Sequence, residues 1–199
     1  MSYLSNPTGS RLRGRYRVSG STNTGVGTNF AAGSTQLFQF RWSDSSRFAV
    51  IRSVSISSIN STAAFASSGL ATFDIARATA WTVQGSAGTA LDVGSQNKTR
   101  STMPSSVSVA GDIRAAPTSA LAAGTSTIDT NAMGTISVAL PAALGQVLAP
   151  TFLYFAGSDD DSPLTLGFQE GYVVRFVTAI ATGQIQSSMT VEWSEFEPA

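Results

Sequence analysis

The sequence has no cysteine and no histidine. Without cysteine the chain can form no disulfide, no thiolate nucleophile and no Cys-ligated metal site. Without histidine it lacks the usual general base at neutral pH and the commonest transition-metal ligand. Ser-His-Asp and Cys-His catalysis are therefore excluded, and carboxylates, hydroxyls, arginines and the single lysine, Lys98, remain for any chemistry.

Charge and long apolar runs are also scarce. Charged residues make up 12% of the 199-residue chain. No run approaches the roughly 18 apolar residues of a membrane span, and the N-terminal sequence lacks the apolar stretch of a secretory signal. We therefore expect a soluble protein that is made in a cytoplasm and has no membrane partner.

The charges are segregated along the chain although they cancel overall. Residues 1–100 contain ten basic and three acidic side chains, whereas residues 101–199 contain two basic and nine acidic ones. A low-charge surface with ends of opposite sign favours permanent association with other protein over free life in solution.

Composition divides the chain into two parts. Residues 20–35 are rich in Gly, Ser, Thr and Asn, which predicts a flexible linker behind an N-terminal arm of residues 1–19. We therefore predict an arm and linker over residues 1–35 and a single large β-domain over residues 36–199.

Within the arm an arginine occurs at every second residue, which is the periodicity of a strand. Four guanidiniums on one face of an extended arm could bind carboxylates of a neighbouring subunit or phosphates, and a solvated tail is the alternative. Four phosphate contacts would give a salt slope of only about −3.6, which disfavours nucleic acid as the partner. The predicted partner-binding residues are Arg11, Arg13, Arg15 and Arg17.

From residue 36 onward apolar residues alternate with polar ones. Short strands with buried alternate residues are predicted, among them Phe38, Phe40 and Trp42, then Val50, Val54 and Ile56, then Tyr172, Val174 and Phe176. About eight to ten such strands between Gly/Ser/Pro turns predict an all-β, antiparallel β-sandwich. We favour a jelly roll, because the strand count is high and the Cys–Trp–Cys core of immunoglobulin domains is missing.

Two more predictions concern local structure. The segments 172–180 and 189–193 are predicted to be neighbouring central strands joined by a hairpin-type connection. Residues 117–124 and 141–150 are the only weak helix candidates.

Other candidate sites are weaker than the arginines. Asp159, Asp160 and Asp161 could hold Ca²⁺, but a solvated acidic loop is the simpler interpretation because no EF-hand spacing is present. No motif supports a catalytic carboxylate pair, and no phosphate-binding or dinucleotide-binding loop is present. The aromatic residues alternate with polar ones inside strands, which favours core packing. We predict no cofactor and no metal.

Three stretches of the sequence resemble a family of small structural proteins encoded in tailed-phage genomes: residues 38–56, 109–129 and 166–195. In the last of them an acidic residue and a glycine precede a hydrophobic strand, and the final strand has an acidic-Trp-acidic pattern. The resemblance covers most of residues 36–197 and includes no catalytic motif.

The resemblance implies a non-enzymatic virion protein, made in the host cytoplasm. A capsid decoration (cement) protein that binds the major capsid protein as a homotrimer is the first expectation. A head-fibre or tail accessory protein is the second. From the residues alone, a simple-virus coat protein and a carbohydrate-binding β-sandwich also remain open.

Overall fold

A computed structural model describes residues 11–21, 35–60, 69–91, 93, 97–116, 121–122, 124–140, 147–157, 162–177 and 185–198. Their regular secondary structure is entirely β, and they contain no helix long and apolar enough to cross a membrane. The strands are β1 Arg11–Ser21, β2 Thr35–Trp42, β3 Phe48–Asn60, β4 Gly69–Val83, β5 Thr89–Ala90, β6 Ile113–Ala115, β7 Thr125–Ile128, β8 Gly134–Leu140, β9 Val147–Phe155, β10 Thr165–Leu166, β11 Glu170–Phe176 and β12 Ile185–Glu197.

The strands form two antiparallel sheets that pack face to face. Sheet A has the order β1-β12-β3-β9, with the short β10 also paired to β3. Sheet B has the order β2-β11-β4-β8, extended by β6 and β5 next to β2 and by β7 next to β4. Successive long strands alternate between the sheets except for the pair β4 and β8, which is the strand order of an eight-stranded jelly roll. The predicted antiparallel sandwich is confirmed.

The inner faces of the two sheets enclose one main core. The predicted inward residues Phe38, Phe40 and Trp42 are all fully buried in it. Phe40 stacks on its sheet neighbour Tyr172 at 5.5 Å between ring centroids and meets Trp193 of sheet A edge-on at 5.2 Å. Large aromatic side chains that touch across the gap therefore hold the two layers together.

A β-bulge changes the predicted alternation in β3. Glu192 pairs with Ser53 and Trp193 with Ile51, so Arg52 has no partner opposite it. The extra residue shifts the pleat by one position. The main core therefore takes Ile51 together with Val54 and Ile56, and the prediction of Val50 on that face is wrong.

A second, smaller apolar cluster lies on the other face of sheet B. Trp81 is fully buried there with Ala76, Ala78 and Val173. A Cβ atom at Gly171 would lie 2.8 Å from the Trp81 ring and 2.2 Å from the carbonyl oxygen of Phe40. The absence of a side chain at Gly171 is what lets the indole pack directly against the strand.

The chain enters the sandwich earlier than predicted. β1 pairs with β12 from Arg11 to Ser21, and its residues Tyr16 and Val18 are buried in the main core. The extended conformation predicted for these residues is confirmed, but the domain boundary at residue 36 is corrected, because two core side chains belong to β1. Residues 1–10 and the predicted linker residues 22–34 lie outside the described residues.

The two C-terminal strands do not form a hairpin. β11 lies in sheet B between β2 and β4, and β12 lies in sheet A between β1 and β3. Both are central strands, as predicted, but they face each other across the core, so the prediction that they are neighbours is wrong. The helix prediction is also wrong for residues 147–150, which begin β9, while residues 117–120 and 141–146 lie outside the described residues.

Candidate interaction site

Arg13 is held inside the domain by a buried carboxylate. Its Nη1 donates to Oε2 of Glu195 at 2.8 Å, and the Glu195 side chain is 0% exposed. Glu195 also accepts hydrogen bonds from Ser106 Oγ at 2.5 Å, the backbone N–H of Val107 at 3.3 Å and Trp193 Nε1 at 3.3 Å. The carboxylate of Glu195 thus links three parts of the chain by hydrogen bonds: β1, β12 and the segment around Ser106.

Tyr16 extends the same network. Its hydroxyl donates to the carbonyl oxygen of Pro104 at 2.9 Å and accepts from Arg13 Nη1 at 3.3 Å. Burial, and next to it the negative charge of Glu195, raise the pKa of Tyr16 to about 12. The phenol is therefore a permanent hydrogen-bond donor at physiological pH.

Arg15 forms a looser, exposed pair. Its Nε lies 2.5 Å from Oε1 of Glu192, and its side chain is 47% exposed. An ion pair open to solvent contributes at most about 1 kcal/mol. Arg15 could thus exchange Glu192 for a partner's carboxylate with little loss of free energy, whereas Arg13 could not leave the buried Glu195 so easily.

Residues 97–109, called the strap from here on, run along the free edge of β1. Lys98 forms an antiparallel bridge with Tyr16. Next to this bridge the backbone N–H of Arg17 donates to the carbonyl oxygen of Asn97 at 3.0 Å. The strap thereby occupies backbone groups that an edge strand would otherwise leave open.

The edge of β1 and the strap together carry four cations that form no ion pair among the described residues. Three are exposed and Lys98 is half-buried. We call this set the basic rim: Arg11, Arg17, Lys98 and Arg100. The structure therefore separates the predicted stripe: Arg13 and Arg15 bind carboxylates of β12, whereas the side chains of Arg11 and Arg17 are exposed and the backbone of Arg17 contacts the strap.

A second buried carboxylate, Asp112, fixes the chain just beyond the strap. Its Oδ1 accepts from Arg41 Nη1 at 3.0 Å and from Gln84 Nε2 at 3.1 Å, and its Oδ2 accepts from Ser43 Oγ. Sequence analysis missed both Asp112 and Glu195. The spacing of Glu195, two residues after the core-facing Trp193 in one strand, is the signal that could have placed it inward.

The described carboxylates mostly bind arginines. Arg175 and Asp74 form a two-pronged pair, with Nε–Oδ1 at 2.8 Å and Nη2–Oδ2 at 2.6 Å. Asp129 is the one described carboxylate outside the ion pairs, whose acidic members are Asp44, Asp74, Asp112, Glu170, Glu192, Glu195 and Glu197. The described residues contain no group of three or more potential metal ligands, and Asp159–Asp161 lie outside them.

Three aromatic residues, Phe152, Phe155 and Phe168, are exposed and depart from the predicted core packing, and the first two lie next to each other. Phe152 and Phe155 of β9 are 56% and 62% exposed, and their rings meet at 5.0 Å with a tilt of 49°. They pair with Ser55 and Ser53 on the solvent face of sheet A. Rings that pack against each other at this tilt do not present the side-by-side platform on which a sugar stacks, so the pair fits an apolar protein contact better.

An open cleft of about 390 Å³ lies on the same side of the sandwich. Its walls include Arg77, Met133, Tyr154 and Leu164. Arg77 Nη2 is 2.6 Å from Oε1 of Glu170, so the charge in the cleft is neutralised within the chain. A molecule in this cleft would therefore be bound mainly by shape complementarity and apolar contacts.

No protein-family model matches the sequence, and no curated protein matches it.

Proposed function

We propose that this chain is a non-enzymatic structural protein of a virion, and specifically a decoration (cement) protein that binds the head of a tailed phage. Three stretches of its sequence resemble small structural proteins of such phages. The jelly-roll strand order belongs to an architecture that viral capsid proteins use, although a fold alone does not fix a function.

The observation that carries the proposal is the basic rim. Its four cations form no ion pair among the described residues, although Arg11 and Arg17 lie opposite Glu197 and Glu192 in the register of β1 and β12, and Arg11 and Arg17 belong to a paired strand rather than to a free tail. Carboxylates of a neighbouring virion subunit are the natural partners of such a rim. Each exposed pair contributes about 0.2–1 kcal/mol, so one copy would bind weakly through these charges alone, and copies linked in an oligomer would bind more tightly.

A shell-forming coat protein of a simple virus is the second candidate, and the jelly-roll strand order favours it. Genome packaging by a basic arm would be weak, however. Residues 1–10 contain no lysine or arginine, and Arg13 and Arg15 are already paired with Glu195 and Glu192.

Electron microscopy of two samples tests the proposal. Purified protein is imaged alone, and it is imaged after mixing with phage heads that lack it. A decoration protein forms a regular array on the heads and no particle by itself, whereas a coat protein assembles into closed shells alone.

The matched variant replaces Arg11, Arg17 and Arg100 with Gln, which leaves the Arg13–Glu195 network untouched. It should fold normally and lose occupancy on the heads. Absence of both arrays and shells with folded wild-type protein would overturn the virion proposal. Full occupancy by the variant would remove the basic rim from it.

A further inference from the structure

Most outer strands of the two sheets are covered, short or irregular. The strap bonds to the outer edge of β1, and β5 and β7 have only two and four residues. β9 contains Pro150, which has no backbone N–H, and its pairing with β3 has register shifts. Features of this kind keep an edge strand from pairing with a further chain.

The strand β8, Gly134–Leu140, has none of these features. It pairs with β4 over seven residues without a register shift, and among the described residues it has no partner strand on its other side. Its sequence, GTISVAL, contains no proline and no charged residue. β8 is therefore the longest regular edge that the described strands leave open.

The register shows which backbone groups of β8 are free. The N–H of Val177, directly after β11, donates to the carbonyl oxygen of Thr72 at 2.8 Å, so the backbone groups of Thr72 face β11. Successive residues of a strand bond on alternate sides, so the next residue, Phe73, faces β8 and bonds to its partner Ile136. The β8 residues whose N–H and C=O groups point to the open edge are therefore Thr135, Ser137 and Ala139.

The core is incompletely covered along the same edge. Ile136 and Val138 pack against the main core but are only partly buried, and no described strand lies beyond them. The cleft of about 390 Å³ opens at the start of β8, where Met133 and Tyr154 are two of its walls. Every second side chain of an added strand would cover this margin of the core, and an apolar side chain beside Met133 could enter the cleft.

We propose that β8 accepts an extended segment of a neighbouring virion protein as an additional strand of sheet B. A row of free N–H and C=O groups is matched by another extended backbone, which favours a strand over a helix or a small molecule as the occupant. The side chains of that segment that face Ile136 and Val138 should be apolar, and the alternate ones, on the solvent face, should be polar.

This edge and the basic rim lie on opposite sides of the sandwich. A Cβ atom at Gly20 would lie 2.8 Å from the side chain of Ala115, which places β1 against β6. A Cβ atom at Gly134 would clash with the carbonyl oxygen of Leu153, which places β8 against β9. A chain that uses both surfaces would join two neighbours, as a cement protein must. The inference rests on the proposed function in naming a virion protein as the donor of the strand.

Two full-length variants test the open edge. Ser137→Pro removes the central free N–H but none of the bonds between β8 and β4. Ser137→Ala is the matched control, because it removes the hydroxyl that hydrogen-bonds Thr72 and keeps the N–H. Thermal melts verify that both variants fold, and Thr135→Pro replaces Ser137→Pro if the latter melts early.

Binding to phage heads that lack the protein gives the first readout. Wild type and Ser137→Ala should form the same array, whereas Ser137→Pro should bind about tenfold more weakly, because it loses a backbone hydrogen bond and its ring obstructs the added strand. Hydrogen exchange at the three edge amides should be slower in the array than in free protein. Equal binding of the two variants, or unchanged exchange, would overturn the strand addition and leave the virion role intact.

A probe without heads separates the inference from the proposed function. The probe is a synthetic peptide of alternating valine and threonine with a lysine at each end. A dissociation constant of about 0.1 mM would slow exchange of the edge amides about tenfold at about 1 mM peptide, in wild type and Ser137→Ala but not in Ser137→Pro. If wild type forms no array on heads, the virion role fails and this probe decides the edge, since unchanged exchange would show that β8 accepts no strand.

Light scattering of the isolated protein distinguishes a second copy from a different partner. The proposal predicts that wild type and Ser137→Pro have the same mass. A wild-type dimer that Ser137→Pro converts to a monomer would show that β8 pairs with β8 of another copy, and it would overturn the assignment to a different protein.

Discussion

Tyr172 is a polar residue in an apolar place. Its side chain is fully buried between Phe38 and Phe40, and its hydroxyl has no hydrogen-bond partner among the described residues. Burial raises the pKa of Tyr172 well above its usual value, so the hydroxyl stays protonated. An unsatisfied buried hydroxyl costs about 1–3 kcal/mol.

Tyr172→Phe removes that hydroxyl and keeps the ring. We expect the free energy of unfolding to rise by about 1 kcal/mol, measured by urea titration followed by tryptophan fluorescence. A decrease of more than about 1 kcal/mol would show that the hydroxyl has a stabilising partner.

Glu195 and Glu192 form a matched pair for a second experiment, since both bind an arginine of β1 but only Glu195 is fully buried. Glu195→Gln removes the closer and fully buried of the two carboxylates that pair with Arg13, Glu197 being the other, and should lower the free energy of unfolding by about 2–3 kcal/mol. Glu192→Gln should lower it by less than about 1 kcal/mol. Hydrogen exchange at the strap should accelerate only in the first variant, and equal effects in both would contradict the assigned role of Glu195.

The alternation of apolar and polar residues predicted many of the core residues correctly. The positions where this prediction failed have local structural causes. Alternation placed Phe38, Phe40 and Trp42 in the core because a pleated strand has a period of two. It failed at Val50, because a bulge at Arg52 shifts the period and leaves no simple sequence signal. The aromatic residues as a group were assigned to the core because they alternate with polar ones, but Phe152 and Phe155 lie on a strand face that the described residues leave uncovered.

At the level of whole strands, β1 is the element whose interpretation changes most. Deletion of residues 1–19 removes Tyr16 and Val18 from the core and Arg13 from Glu195. This loss exceeds about 5 kcal/mol, a large part of the stability of a typical domain. We therefore expect the truncated protein to be unfolded by circular dichroism.

Deletion of residues 1–10 is the control, because it leaves β1 complete. A cooperatively folded 20–199 fragment would show that β12 and β3 suffice for sheet A. An unfolded 11–199 fragment would prevent any conclusion about β1.

Strand pairing was harder to predict than strand existence. The pattern of residues 172–176 and 189–193 shows that each strand has a buried face, but that pattern is the same whether the partner is a sheet neighbour or a strand across the core. Loop length and turn residues suggested a hairpin, and the structure instead places β11 and β12 in different sheets. The predicted basic site was altered for a similar reason, because Glu195 and the strap reach β1 from distant parts of the sequence.

On the scale of the molecule, one core spans both sheets, so damage to either should unfold everything together. Phe176 of sheet B and Trp193 of sheet A are both buried in it. Phe176→Ala and Trp193→Ala should each cost about 3–5 kcal/mol in a single melting transition. Asp160→Ala should change stability by less than about 0.5 kcal/mol, with or without chelator. Two separate transitions, or a silent Phe176→Ala, would contradict a shared core.

The place of β12 has a consequence for how the protein is made. β12 follows every other described strand in the sequence, yet it lies between β1 and β3, pairing Glu197 with Arg11. During translation β1 and β3 leave the ribosome long before the strand that joins them, so sheet A cannot close until synthesis reaches residue 197. Contacts between such distant residues make folding slow, and until sheet A closes the nascent chain exposes unpaired strand edges, which favour aggregation.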